Sequence, residues 1–262
     1  MRKRKAKLGG TLSKIYTAFM YVFLYLPIAV IVVYSFNTSK MNISFEGFTF
    51  DWYAKLFHNQ PLLESYGNTL LVGAASTIIA TIVGTLASYG MSKYKFKGKG
   101  IIDALLYVPV VIPEIVLGIA LLAIFNLSNI PMGLLSLIIA HATFSIPFVV
   151  FTVNARLAGF DRSVEEASMD LGASRSKTFF TVTLPIIMPG VISGAFLAFT
   201  LSVDDIIISF FTTGPGSNTF PLKVMELIKT GVTPDVYALT TIVFIITIAI
   251  VIVTQHDKKK IA

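Results

Sequence analysis

The chain has no cysteine among its 262 residues, which excludes disulfides and thiolate metal sites and says nothing about compartment. Charge is also sparse: 13% of residues are charged against 55% hydrophobic, and mean hydropathy is +0.78. That balance is too apolar for a soluble domain of this length. No G-x-x-x-x-G-K-[ST] phosphate loop is present, so the chain is not itself an ATPase, and no cofactor is expected in it. There is no internal repeat and no low-complexity segment, and neither longer loop is large enough for a separate domain. Residues 1–262 read as one integral membrane domain.

What the chain does have is long apolar runs. About 20 apolar residues cross the roughly 30 Å hydrocarbon core as a helix, and only a helix satisfies its own backbone there. Six such runs are legible: Ile15–Phe36, Asn68–Met91, Ile101–Phe125, Leu134–Val153, Ile186–Phe211 and Val236–Thr254. Seventeen of the 21 Lys and Arg residues fall before the first run, in every second gap, or after the last, and none falls inside a run. Basic residues are retained on the cytoplasmic side. The expectation is therefore an all-α protein of six transmembrane helices with both termini cytoplasmic. The first run is longer than the 7–15 residues of a signal h-region, and no small-x-small site follows it, so it reads as a retained span. The net charge of +7 is spread over cytoplasmic membrane edges. It suits anionic headgroups rather than nucleic acid.

The loops differ in character. The outer loop Asn37–Gly67 carries Phe45, Phe48, Phe50, Trp52, Tyr53 and Phe57 and is expected to pack on the outer membrane surface as short amphipathic structure. The loop Thr212–Pro234 holds a Gly214-Pro215-Gly216 turn signal. The cytoplasmic stretch 161–185 has helical grammar of its own. Ser163-Val-Glu-Glu166 reads as a capping box. Val164, Ala167, Ser168 and Leu171 then share a face, and Gly172 sits where a left-handed cap ends the helix. A second short helix is expected from Ser174 to Leu184, ended by Pro185.

Three carboxylates stand deep in the runs: Glu114, Asp204 and Asp205. An unpaired charge in hydrocarbon costs about 2.5–3.5 kcal/mol on insertion scales, so such groups face a protein interior or a wet cavity. Acids without bases suit a cationic solute. Pro109 and Pro113 favour a kink before Glu114. His141 reads as a hydrogen-bonded packing residue. Small residues recur every four positions, as Ser76, Ala80, Gly84 and Ser88 and as Gly190, Gly194, Ala198 and Ser202. They permit close helix approach, in the fifth span against a second subunit.

Glu166-Ala167-Ser168, then Gly172, then Val182-x-Leu184-Pro185 resembles the EAA signature of ABC importer permeases, with Ser168 for the second alanine and Val182 for isoleucine. Pro27, Ser35-Phe36-Asn37, Gly159-Phe160-Asp161, Asp170-Leu171-Gly172-Ala173-Ser174, Leu201-Ser202-Val203-Asp204-Asp205 and Thr213-Gly214-Pro215 extend the resemblance to C-type permease subunits of spermidine/putrescine importers. The resemblance implies a type I importer permease fold in a bacterial plasma membrane. It implies that Glu166, Ala167, Ser168 and Gly172 contact a homodimeric ATP-binding subunit, which holds ATP and Mg, and that Leu184-Pro185 returns the chain to the membrane. It also implies a second related permease and an external polyamine-binding protein. Because that receptor sets most of the specificity, another cationic solute such as ferric iron or thiamine fits the same residues. A proton-coupled secondary transporter relaying through Glu114 and Asp204 would leave the loop signature without a role.

Overall fold

The computed structural model describes the backbone of residues 2–40 and 44–261 and the side chains of 13–40, 44–229 and 231–249. The basic side chains at Arg2, Lys3, Arg4, Lys5, Lys7 and 258–260, on which part of the orientation argument rests, lie outside the described residues. All regular structure described is helical, apart from one antiparallel bridge between Asn37 and Phe48. The α-helices are α1 (Arg2–Tyr34), α2 (Asp51–Leu56), α3 (Gln60–Lys93), α4 (Lys99–Val111), α5 (Glu114–Leu127), α6 (Leu134–Leu157), α7 (Ser163–Asp170), α8 (Arg175–Thr178), α9 (Leu184–Asp204), α10 (Ile207–Thr212), α11 (Phe220–Thr230) and α12 (Pro234–Ile261). A π-helical stretch, Phe179–Thr183, joins α8 to α9.

Among the described residues, four helical segments are long and apolar enough to cross a membrane: Ser13–Tyr34, Gln60–Lys93, Leu134–Leu157 and Arg175–Asp204. A fifth span follows if α4 and α5 count together. The third run is thus not one helix. Its two halves meet at 115° across Ile112–Pro113, because Pro113 supplies no N–H and drives Ile112 to an extended φ of −76° and ψ of 139°. The fifth run is also broken, at Asp205 and Ile206.

The chain divides into two compact units. The first comprises residues 1–63 and 224–262, with α12 packed against α1 and α2. The loop between α1 and α2 is a knot of aromatics: Phe36 stacks on Phe48 at 5.1 Å and meets Tyr53 at 5.2 Å. The buried Trp52 donates its Nε1–H to the Asn37 carbonyl at 2.6 Å. Along α1 the apolar side chains from Ile15 to Leu26 are exposed, as lipid contact requires.

The second unit comprises residues 64–223. Its core forms where α6 lies along α9, around Ala80, Val149, Val153, Ile187 and Ala198. Both small-residue stripes are buried. A Cβ on Gly84 would lie 2.8 Å from Val149, and one on Gly194 3.3 Å from the Val149 Cα. Ser76 and Ser202, one from each stripe, meet at 3.2 Å. The fifth-run stripe is therefore filled by α6 and α3 of the same chain rather than by a second subunit. A second cluster, Leu121, Phe125, Ala140, Phe144 and Ile208, packs α5 and α10 on α6.

Candidate functional site

The stretch 161–185 folds largely as its sequence predicts, with two corrections. α7 starts at Ser163, but no capping box forms, since the residue before the helix is Arg162 and makes no side-chain cap. Instead Asp161 Oδ1 accepts the Ser163 N–H at 3.0 Å. In a capping box the Glu166 carboxylate would accept that N–H; Asp161, two residues before Ser163, takes it instead. The bonds from Ser163 hold the Asp161 carboxyl below its usual range. The second correction concerns Pro185. It ends no helix: the chain stays helical from Arg175 through the π stretch to Asp204. The wider π turn lies where the proline ring would otherwise meet the carbonyl of residue 181, which is how the proline is accommodated.

The end of α7 is as expected. Gly172 has φ +88°. Its N–H reaches the Met169 carbonyl at 2.9 Å, and the Ala173 N–H reaches the Ser168 carbonyl at 3.2 Å. This pair of bonds is a Schellman cap. Val164, Ala167, Ser168 and Leu171 share one face and line an open groove of about 500 Å³, with Lys177 and Thr181 on its other side. Leu171 is 90% exposed, a large apolar side chain with nothing on it. Glu166 is exposed, Leu184 half-buried and Pro185 exposed.

The neighbour of Glu166 escaped the sequence reading. Glu165 is buried. Its Oε2 receives the Lys93 ammonium at 2.8 Å, and the Thr183 hydroxyl donates to its Oε1. Burial pushes its carboxyl up, but the bonds from Lys93 and Thr183 outweigh that and leave it below the ordinary range. The available signal was Lys93, the first of four basic residues after the second run, together with the two adjacent acids Glu165 and Glu166 in the later loop.

The three membrane acids come together. Glu114, the first residue of α5, and Asp204 and Asp205, at the end of α9, line one cavity of about 270 Å³ with Phe144, Thr200 and Leu201. None of its lining residues is basic. The two aspartates differ. Asp205 is buried, and its oxygens accept the N–H groups of Ile208 at 3.2 Å and Ser209 at 2.7 Å. It caps the start of α10. His141 Nε2 lies 3.5 Å from its Oδ2. That ring also meets Ser202 at 2.6 Å and Ser209 at 2.9 Å, so His141 is the hydrogen-bonded packing residue expected, with Asp205 among its neighbours. Asp204 and Glu114 are exposed. The arrangement offers two open carboxylates beside one that is structurally committed, and it can receive a cation. The loop beyond α10 is fixed by Asn68, which donates to the carbonyls of Gly216 and Asn218 at 3.2 and 3.1 Å. A Cβ on Gly214 would lie 2.2 Å from the Met132 carbonyl oxygen.

Residues 76–256 match the family described as binding-protein-dependent transport system inner membrane component. The chain is 41% identical over 255 residues to the spermidine/putrescine transport system permease protein PotC of Escherichia coli (strain K12), across 96% of this chain and 95% of the relative. It is 38% identical over 230 residues to the putrescine transport system permease protein PotI of the same organism, across 85% and 82%. Among solved structures, a chain of a bacterial ABC transporter involved in the import of the acidic polysaccharide alginate superposes with a TM-score of 0.73, covering 96% of this chain and 97% of that one. The identity there is 14%, so what is shared is the fold.

Proposed function

The chain belongs to the family of inner membrane components of binding-protein-dependent transport systems and is a transport component rather than an enzyme; from that premise we propose that it carries polyamines as one permease subunit of an ATP-driven importer. The observation that carries the cargo reading is the cavity lined by Glu114, Asp204 and Asp205, with no Lys or Arg among its lining residues. An alkylammonium passing it meets two open carboxylates in sequence. Similarity to permeases of spermidine and putrescine systems points the same way.

The rest of the assembly follows as proposal. The six apolar runs are spans, and the alternation of basic loops puts both termini in the cytoplasm. The groove on α7 seats a homodimeric ATP-binding subunit, which holds ATP and Mg. Glu166, Ala167, Ser168 and Gly172 form the contact, and Leu184-Pro185 carries the chain back to the membrane. A second related permease completes the pathway, and an external polyamine-binding protein delivers the cargo at the outer loops. Each cycle of ATPase closure moves the α7 element and alternates access to the acidic cavity.

The test is uptake of radiolabelled spermidine in cells lacking this gene, with and without the gene restored. Loss and recovery are expected. Unchanged uptake in the absence of a redundant system would overturn the cargo reading. An Asp204→Asn variant should lower uptake while capture by the external receptor stays intact.

A further inference from the structure

Glu165 lies at the junction of three elements. It projects from the first turn of α7, about 100° round the helix from Val164 in the groove face, and is 5% exposed. Lys93, which ends α3, places its ammonium 2.8 Å from Oε2 and 2.5 Å from the Tyr89 hydroxyl. Thr183, fully buried at the foot of α9, donates to Oε1. One carboxylate thus holds α7, α3 and α9. Two further contacts run parallel to it. The Arg162 guanidinium reaches the Ser92 carbonyl at 2.5 Å, and the Tyr89 and Phe179 rings pack at 4.7 Å. Phe179 and Thr183 bound the π stretch. Such stretches break the regular ladder and recur at functional sites.

We infer that Lys93, Glu165 and Thr183 form a buried tie that transmits movement of α7 into the membrane helices α3 and α9, which makes Glu165 a positioning residue for the transport cycle. The inference rests on reading the α7 groove as the ATPase contact. A displacement of α7 pushed from its groove face must drag α3 and α9 or separate an ion pair whose Glu165 end is buried and whose Lys93 end is partly exposed. Separation leaves two charges uncompensated, and that is strongly unfavourable. The tie therefore favours joint movement. Loss of either charge leaves the loop able to dock, joined to α3 only through the Arg162–Ser92 bond and the Tyr89–Phe179 ring contact.

The test uses the complete transporter: this subunit, its partner permease, the ATPase and the external receptor in proteoliposomes, with spermidine uptake and ATP hydrolysis read on the same samples. Glu165→Gln and Lys93→Glu are expected to lower uptake per ATP hydrolysed about tenfold, within the usual span of coupling between linked sites. The ATPase should still co-purify in full. The exchange Lys93→Glu with Glu165→Lys is expected to recover most of the ratio, and a purely local packing role would not respond in this way. Thr183→Val removes only the hydroxyl and reads the α9 arm alone. Should Lys93→Glu fail to assemble, Glu165→Gln keeps the side-chain shape and decides the matter. A wild-type ratio in Glu165→Gln overturns the inference, as does a proportional fall of uptake and hydrolysis together. Ala167→Trp separates the two readings. If it retains the ATPase, the groove is not the contact. If it loses the ATPase while Glu165→Gln keeps a normal ratio, only the tie is wrong.

Discussion

Gly172 allows the loop proposed as the ATPase contact to be probed through backbone geometry alone. Its φ is +88°, and a Cβ built there meets no atom within 4 Å. Alanine therefore adds no clash with the rest of the protein. Its effect is confined to the left-handed backbone, which costs an L-residue about 1–2 kcal/mol. That is a factor of about 5–30 in the equilibrium between the capped turn and a relaxed one. Asparagine tolerates the same region far better. Tryptophan adds bulk at the edge of the groove lined by Ala167, Ser168 and Leu171. The expected order of ATPase co-purification and spermidine uptake is Gly172, then Asn, then Ala, with Trp lowest. Insertion into the membrane should be equal throughout. Co-purification with the ATPase and uptake in proteoliposomes measure both quantities. Equal behaviour of the Ala and Asn variants would refute the conformational argument, and normal uptake by Gly172→Trp would count against the loop as the coupling element.

Other outcomes follow from single residues. Asp205→Ala removes the acceptor for two α10 N–H groups and should lower thermal stability by about 0.5–2 kcal/mol, as loss of a cap does, while Asp204→Asn should leave stability unchanged and lower uptake. Gly214→Ala forces a Cβ against the Met132 carbonyl oxygen; with backbone on both sides, overpacking of about 1–3 kcal/mol or more is expected, read as a fall in unfolding temperature. Glu165 is held below its ordinary range in the folded protein, so the unfolded chain binds the extra proton. Its contribution is present above its unfolded value of about 4.3 and is lost as pH falls through the lower folded value. In detergent, wild-type protein should lose stability more steeply below about pH 4.3 than Glu165→Gln does, and parallel curves would remove the ion pair from the account.

The helical class, the apolar segments and the loop signature were legible because each depends on local periodicity. Val164, Ala167, Ser168 and Leu171 share a face in the sequence pattern and in the folded loop, and Gly172 is left-handed as its position demanded. The convergence of Glu114 with Asp204 and Asp205 was legible only as chemistry: three unpaired acids each needed a polar space, but nothing local said it was the same one. The break at Ile112–Pro113 was signalled by proline, though its 115° angle was not. Where the reading failed, a group outside the pattern had won. Asp161 took the Ser163 N–H in place of Glu166, the π stretch absorbed Pro185, and Lys93 claimed Glu165 across 72 residues of sequence.

The small-residue faces of α3 and α9 bear on biogenesis. Both are filled by side chains of the same chain, with Val149 seated over Gly84 and Gly194 and Ser76 bonded to Ser202. Their close approach needs no second permease. A newly inserted subunit can complete this part of its interior before it meets any partner. Lesions at Gly84 or Gly194 should then appear first as poor accumulation of the lone subunit, upstream of any defect in assembly.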